Sequence, residues 1–261
     1  MSEETTDEGI VRVDCRFVRG RNALLCCGDF GAMFMDLYLH LGQTGVVLGS
    51  GVDEKLKLLL AALTLHAASR PHAETCAWTM HLEEERMNLF AVAENPTGHV
   101  TGQVFTENVR STGGNVLHAE VAEAAGVRRR SSVDFAGADI LRAAAEYYAR
   151  SEQRPARYFE LGGDRFAMLS AQPDCDTEWL GSVGSDEVIS LADDKSRPPM
   201  ETRIYRFFCG CSPVRVAEAL APALRRDLDG VFGGDTHITV TCPRCGLRHE
   251  LARELFGGEG N

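Results

Sequence analysis

The sequence predicts an α+β fold: a mixed-sheet N-terminal domain carrying helices, then a linker, then a small C-terminal module. Three observations carry this. Five alternating stretches and two helical ones mix without a regular βαβ rhythm, which suits α+β better than a doubly wound sheet. A shift in composition begins near Pro173. The last stretch, fewer than sixty residues long, holds two close pairs of cysteines and few large apolar side chains. At 261 residues the chain is long enough for one substantial core plus such an appendage.

In the N-terminal domain, residues 1–173, Val11–Val18, Thr75–Leu82, Val100–Phe105, Val116–Val121 and Arg157–Leu161 alternate as strands do. Asp53–Ser69 reads as a buried helix, with Asp53 as its N-cap and Pro71 beyond its end. Gly137–Arg150 reads as a second helix, with Ile140, Leu141, Ala144 and Tyr148 on one broad apolar face. Residues 174–203 form an acidic linker, with eight acidic against three basic residues and the pair Pro198-Pro199. Asp186–Leu191 makes one short helix there, and the rest is weakly committed to structure. In the module, residues 204–261, Ser212 caps a helix that starts at Pro213 and runs until Pro222 disrupts it. A second short helix runs to Asp229 and stops at Gly230. Thr236–Thr241 then alternates like a strand, and the chain turns and returns as Leu247–Leu251. No internal repeat is found.

Composition excludes several classes of function. Apolar residues make up 44% of the chain, yet no apolar run reaches membrane length, so no membrane partner is expected. The acidic, polar start resembles neither a secretory signal nor a transit peptide, so the default compartment is the cytoplasm, where thiols stay reduced. Nine cysteines, an odd number, argue against a fully paired disulfide framework and for metal or redox chemistry. The net charge is −11, but from Ile204 onward seven Lys/Arg offset seven Asp/Glu, so the module is neutral. Zinc modules that bind nucleic acid carry a basic excess, so nucleic acid is not an expected partner. The basic cluster Arg128-Arg129-Arg130 lies elsewhere and reads as a solvated strand start.

Cys209-Gly210-Cys211 and Cys242-Pro243-Arg244-Cys245 bracket thirty residues. Four thiols in two close pairs can converge on a single tetrahedral zinc ion with no further ligand. The second pair has the form of a zinc knuckle, which Gly246 can close by taking a positive φ. In the first pair a sharply bent chain lets both sulfurs meet a metal, and a disulfide within it would be strained and readily reduced. Two readings stand at this point: a structural four-cysteine zinc ribbon, or a switch. Domains this small are marginal and often need a metal. A structural zinc contributes roughly 10–16 kcal/mol of apparent folding free energy, against ~5–15 kcal/mol for a typical whole domain. Removing it should unfold the module and loosen the linker beside it. Thiolates are the form that oxidants attack, so chemistry at the sulfurs becomes an order–disorder transition.

The other candidates read as structural. Cys15, Cys26, Cys27 and Cys76 sit in apolar or strand-like contexts as buried, inert thiols, with Cys26 and Cys27 on opposite faces of a strand. Cys175, at the linker start, is the candidate accessory redox thiol. His249 follows the knuckle closely, but four thiols complete the metal's shell, so it reads as a surface histidine. Ser151-Glu152-Gln153 offers a nucleophile and a carboxylate without a neighbouring His or oxyanion element, and fits a helix C-terminal turn. No catalytic residue is assigned.

This Cys-X-Cys, thirty-residue gap and Cys-X-X-Cys arrangement resembles that of the thirty-three-kilodalton heat-shock protein family, the redox-regulated holdase chaperones. Glu146-Tyr147-Tyr148-Ala149-Arg150-Ser151-Glu152-Gln153-Arg154-Pro155 resembles the family's Tyr-(Phe/Tyr)-x-x-Ser-Glu-Gln-x-Pro signature. Weaker similarity covers the Asp53–Ser69 helix, Met87-Asn88-Leu89 and a possible strand Ser131–Phe135. The resemblance implies a substrate-binding domain, a metastable linker and a zinc switch. It further implies zinc ligands Cys209, Cys211, Cys242 and Cys245 in the reduced form. On oxidation it implies disulfides Cys209–Cys211 and Cys242–Cys245, zinc release, unfolding of switch and linker, a homodimer, and ATP-independent holding of unfolding client proteins. Two departures stand out: Ala156 where the family usually has Thr, and a linker shorter than usual. The alternatives are a constitutive zinc-stabilised protein-binding module and a thiol-disulfide oxidoreductase. The latter would want a Cys-x-x-Cys opening a helix in a thioredoxin-like βαβ pattern, which is missing.

Overall fold

A computed structural model describes residues 9–123, 126–196, 198–224 and 227–256. The hairpin β1 (Val11–Val18) and β2 (Ala23–Asp29) leads into helices α1 (Gly31–Thr44) and α2 (Val52–Ala68). Five strands follow: β3 (Glu74–Leu82), β4 (Met87–Glu94), β5 (His99–Phe105), β6 (Asn115–Glu123) and β7 (Arg128–Phe135), with β6 returning to pair with β3. Then come α3 (Ile140–Arg150), β8 (Ala156–Glu160), β9 (Arg165–Ala171), α4 (Thr177–Ser182), α5 (Ser185–Asp193) and β10 (Glu201–Phe207). The tail holds α6 (Pro213–Leu224), α7 (Leu228–Phe232), β11 (His237–Thr241), β12 (Arg248–Ala252) and a 3₁₀ turn, Arg253–Phe256.

Ten strands form one mixed sheet in the order β7-β6-β3-β4-β5-β10-β1-β2-β9-β8, and β11 and β12 form a separate hairpin. The α+β class is as the sequence implies. All neighbours are antiparallel except β10 and β5, which run parallel. Strand β10 is therefore the join between two antiparallel halves.

Beyond its charged first turns helix α2 is apolar nearly all round, and every side chain from Leu59 to Ala68 is buried between the sheet and α3. Its N-cap is Gly51, at φ +78°, and not Asp53, which lies in the first turn beside Glu54 where carboxylates favour the helix dipole. Helix α3 starts later than expected because Asp139 caps it, accepting from the Arg142 N–H at 3.0 Å. Strand β9 carries no alternation in its sequence, because six of its seven residues are buried.

The linker is more ordered than its composition suggests. Helices α4 and α5 pack Trp179, Leu180, Val183 and Val188 on Leu25, Phe159 and Leu169, on the face of the sheet opposite α2. The short helix expected at Asp186–Leu191 is α5, while thinly spaced apolar residues among acids hide α4. The expected boundary at 203/204 falls inside β10, where only Tyr205 and Phe207 are buried. Further on, α6 continues past Pro222 to Leu224, although the proline has no N–H to give the carbonyl four residues before it. Helix α7 stops at Gly233, at φ +55°, and not at Gly230, whose N–H the Asp227 carboxylate caps at 2.9 Å.

Candidate metal centre

Strand β10 ends two residues before Cys209, and the chain bends through Gly210 at φ +66° to present Cys211 beside it. The β11–β12 hairpin supplies the other pair. In its turn the Gly246 N–H donates to the Cys242 carbonyl at 2.9 Å and the Cys242 N–H to Leu247 at 2.8 Å, with Gly246 at φ +78° as the sequence requires. The Ser212 hydroxyl caps α6 as expected, accepting from the Arg215 N–H at 3.2 Å.

All four sulfurs lie within 4.8 Å of one another. Cys209 and Cys242 are 3.8 Å apart, Cys211 and Cys245 3.6 Å. A tetrahedron with Zn–S bonds of ~2.3 Å has edges of about 3.8 Å, so the four donors fit zinc. Their electrostatics point the same way. Hydrogen bonds from Cys209 and Cys245, with backbone N–H groups, hold the Cys242 thiol far below its usual value. Burial, then the neighbouring Cys209 charge, pushes Cys211 up to about 12. Sulfurs this crowded cannot all ionise without a compensating cation.

The knuckle is docked on the sheet. His40 Nε2 lies 2.7 Å from the Cys245 carbonyl, and the Gln103 amide donates to the carbonyls of Cys242, at 3.3 Å, and Pro243. Arg244 pairs with Glu94 at 2.6 Å. A cleft of about 300 Å³ between α1 and Phe207 opens onto the cluster. The module's own core is small: among the described residues Val216, Ala217 and Leu251 are its buried apolar cluster. His40, Gln103 and Glu94 were not foreseen, because they sit 139 to 205 residues away in sequence from the groups they hold.

His249 corrects an expectation. It is buried, 7% exposed, and its Nε2 lies 3.1 Å from the Cys211 sulfur, so it is an outer partner of the cluster rather than a surface residue. Cys26 and Cys27 do face opposite sides of β2, one in each core. Cys15, Cys26 and Cys76 are buried as expected, but Cys15 and Cys26 touch. Burial raises the Cys175 thiol, which disfavours the thiolate an accessory redox role would need.

The Tyr-Tyr signature is structural. Tyr147 donates to Glu152 at 2.8 Å, Glu152 accepts from Arg70 at 2.9 Å, and Arg70 continues to Glu74 at 2.8 Å. Arg128 and Arg130 pair with Glu120 across the strands, and Arg129 with Glu74, which accounts for the basic cluster.

Fold and site together define an α+β protein whose four-thiol tail module is docked on the sheet. Neither a protein-family model nor a curated protein sequence matches the chain. In structure it is similar to the 33 kDa chaperonin (heat shock protein 33 homologue) of Thermotoga maritima. The TM-score is 0.66 over 96% of this chain and 97% of that one, at 13% sequence identity. That likeness is one of fold. Among the described residues, no helix is long and apolar enough to cross a membrane.

Proposed function

We propose that the protein is a redox-regulated, ATP-independent holdase of the thirty-three-kilodalton heat-shock protein family. The observation that carries this is the convergence of four sulfurs at tetrahedral-edge spacing on a module too small to be stable alone. The fold on which it docks, similar to a chaperonin's, supports the reading. Cys209, Cys211, Cys242 and Cys245 hold one zinc ion, whose fixed positive charge keeps four thiolates together. Oxidation gives Cys209–Cys211 and Cys242–Cys245. Each pair loses two electrons to a peroxide, which is reduced to water, and no thiolate remains to hold a cation. In the reduced cluster the contacts at 3.8 and 3.6 Å run across the pairs, so the within-pair assignment rests on the resemblance.

Residues 1–173 bind clients, 174–203 act as linker and 204–261 as switch, with β10 pairing into the sheet. Short as it is, the linker covers Leu25, Phe159 and Leu169 with α4 and α5, so its release uncovers apolar surface for unfolding clients. The protein works in the cytoplasm and forms a homodimer when oxidised. It has no catalytic residues.

The test is to treat zinc-loaded protein with peroxide at elevated temperature. Zinc release, circular dichroism and suppression of client aggregation are then followed together. All three change in step for a switch. Retained zinc with constant holding activity would point to a constitutive module, and turnover of a dithiol substrate to an oxidoreductase.

A further inference from the structure

We propose that Cys15 and Cys26 are a second redox pair, which a hydroperoxide converts into a disulfide across the β1–β2 hairpin. The two residues are direct partners in the antiparallel register of β1 and β2. Both side chains enter the core that α2 covers, and their sulfurs are 3.2 Å apart. Opposed residues on antiparallel strands have Cα atoms about 4.5–5.5 Å apart, inside the ~4.4–6.8 Å range that disulfides span. Closing the remaining gap to ~2.05 Å therefore needs side-chain rotation and no backbone movement. Cys27 points to the other core and Cys76 lies on β3, so the pairing is specific.

The two thiols are unequal. In the neutral pair Cys26 donates to Cys15, which donates in turn to the Ala68 carbonyl at 3.5 Å. The hydrogen bond from Cys26, with the Arg203 guanidinium nearby, holds the Cys15 thiol below its usual value, while the same bond and burial push Cys26 well above. Cys15 is thus the nucleophile. Its thiolate attacks the terminal peroxide oxygen and displaces alkoxide (hydroxide for hydrogen peroxide), giving a sulfenic acid. Cys26 then attacks that sulfur and expels water. Overall two thiols and one hydroperoxide give one disulfide, one water and the hydroperoxide's alcohol (a second water for hydrogen peroxide), and the two sulfurs lose two electrons.

Access comes from β10. Cys15 is 4% exposed and stands opposite Glu201, where its carbonyl accepts from the Met200 N–H at 2.8 Å. Separation of the first residues of β10 bares that sulfur. The consequence rests on the proposed switch: if β10 leaves with the linker, β1 keeps only β2 as a neighbour, and the disulfide pins it there.

Full-length, zinc-loaded protein is oxidised with excess hydrogen peroxide for a fixed time at elevated temperature. It is then denatured, alkylated, digested without reductant and mapped by mass spectrometry. A peptide linking Cys15 to Cys26 is expected in most chains, absent before oxidation and in Cys26→Ala. The inference is overturned if both residues are recovered alkylated, over-oxidised or joined to other cysteines. Zinc release is read in the same sample with a chromogenic chelator. The linked peptide without zinc release would sink the switch and leave this pair standing, and zinc release without the linked peptide would do the reverse.

Discussion

His66 makes the folded sheet sensitive to acid. It lies on α2 with no exposed surface, its ring 5.0 Å from that of Trp78 and edge-on to Tyr147 and Tyr148. Its Nδ1 is 2.8 Å from the Tyr148 hydroxyl, which is 3.3 Å from the Ser69 hydroxyl, which donates to the His66 carbonyl at 2.8 Å. With the proton on Nδ1, every donor in this ring has an acceptor. Among the described residues Nε2 has none, so a second proton would be buried without a partner. Burial, then the charges of Arg70 and Arg154, hold the ring's pKa well below its ordinary value.

The folded state therefore binds fewer protons than the unfolded chain, and stability falls as pH drops below the unfolded pKa of ~6.5. While the folded ring stays neutral, the loss between pH 7 and pH 5 is set by the unfolded chain alone. It comes to about 1.9 kcal/mol, or about 25-fold in the unfolding constant. The assay is guanidinium unfolding of reduced, zinc-saturated protein at both pH values, read by near-UV circular dichroism. The comparison is His66→Asn, which retains a donor where Nδ1 stood. The variant loses packing at both pH values, so that cost cancels in the difference of differences. Wild type should lose about 1.9 kcal/mol more than the variant on acidification. Equal losses would refute the claim that His66 is held neutral.

Other substitutions probe the metal centre. Cys242→Ser removes one of four donors, and its loss of zinc affinity, by competition with a chelator, should exceed the roughly 10–100-fold that an outer partner costs. Its basal holding activity should rise, and an unaltered affinity would rule out the ligand assignment. Gly246→Ala forces a side chain onto φ +78° with its Cβ 3.1 Å from the Gln103 Oε1. The left-handed conformation alone costs about 1–2 kcal/mol, so zinc binding should weaken about 5- to 30-fold, and no change would mean the turn relaxes freely. Glu94→Gln removes the partly exposed ion pair with Arg244. Such pairs give about 0.5–1 kcal/mol, so amide exchange in the knuckle should quicken about 2- to 5-fold. Unchanged exchange would show that the docking rests on His40 and Gln103.

What was legible in the sequence divides by the range of the interactions. The four cysteines could be read because metal spacing is a local property, and Gly246 because only a turn explains a glycine there. The α2 and α3 helices could be read from apolar content and periodicity, though their caps at Gly51 and Asp139 were displaced by the loops leading into them. Strands covered on both faces, such as β9, show no alternation. His249 looked superfluous because ligand counting stops at the metal's first shell, whereas its hydrogen bond to Cys211 depends on the return of β12. Nothing local to residues 15 and 26 says that they face each other. That follows only from the register of the hairpin.

The position of β10 gives the tail leverage over the whole molecule. It pairs with β1 over five residues, but with β5 only through Arg206–His99 and Phe207–Val100. The join between the two halves of the sheet is thus short on one side, and it ends two residues before Cys209. Phe208 fills that gap, edge-on to His99 at 4.8 Å while its N–H donates to Val100 at 2.8 Å. Any force that frees the cysteine module acts first on these few contacts. Because hydrogen bonds between strands are made and lost in series along a ladder, the shortest ladder yields first. In the proposed switch the β5 edge of β10 is therefore where disorder in the tail would enter the sheet, and the longer β1 edge, with Cys15 near its far end, is where it would be resisted.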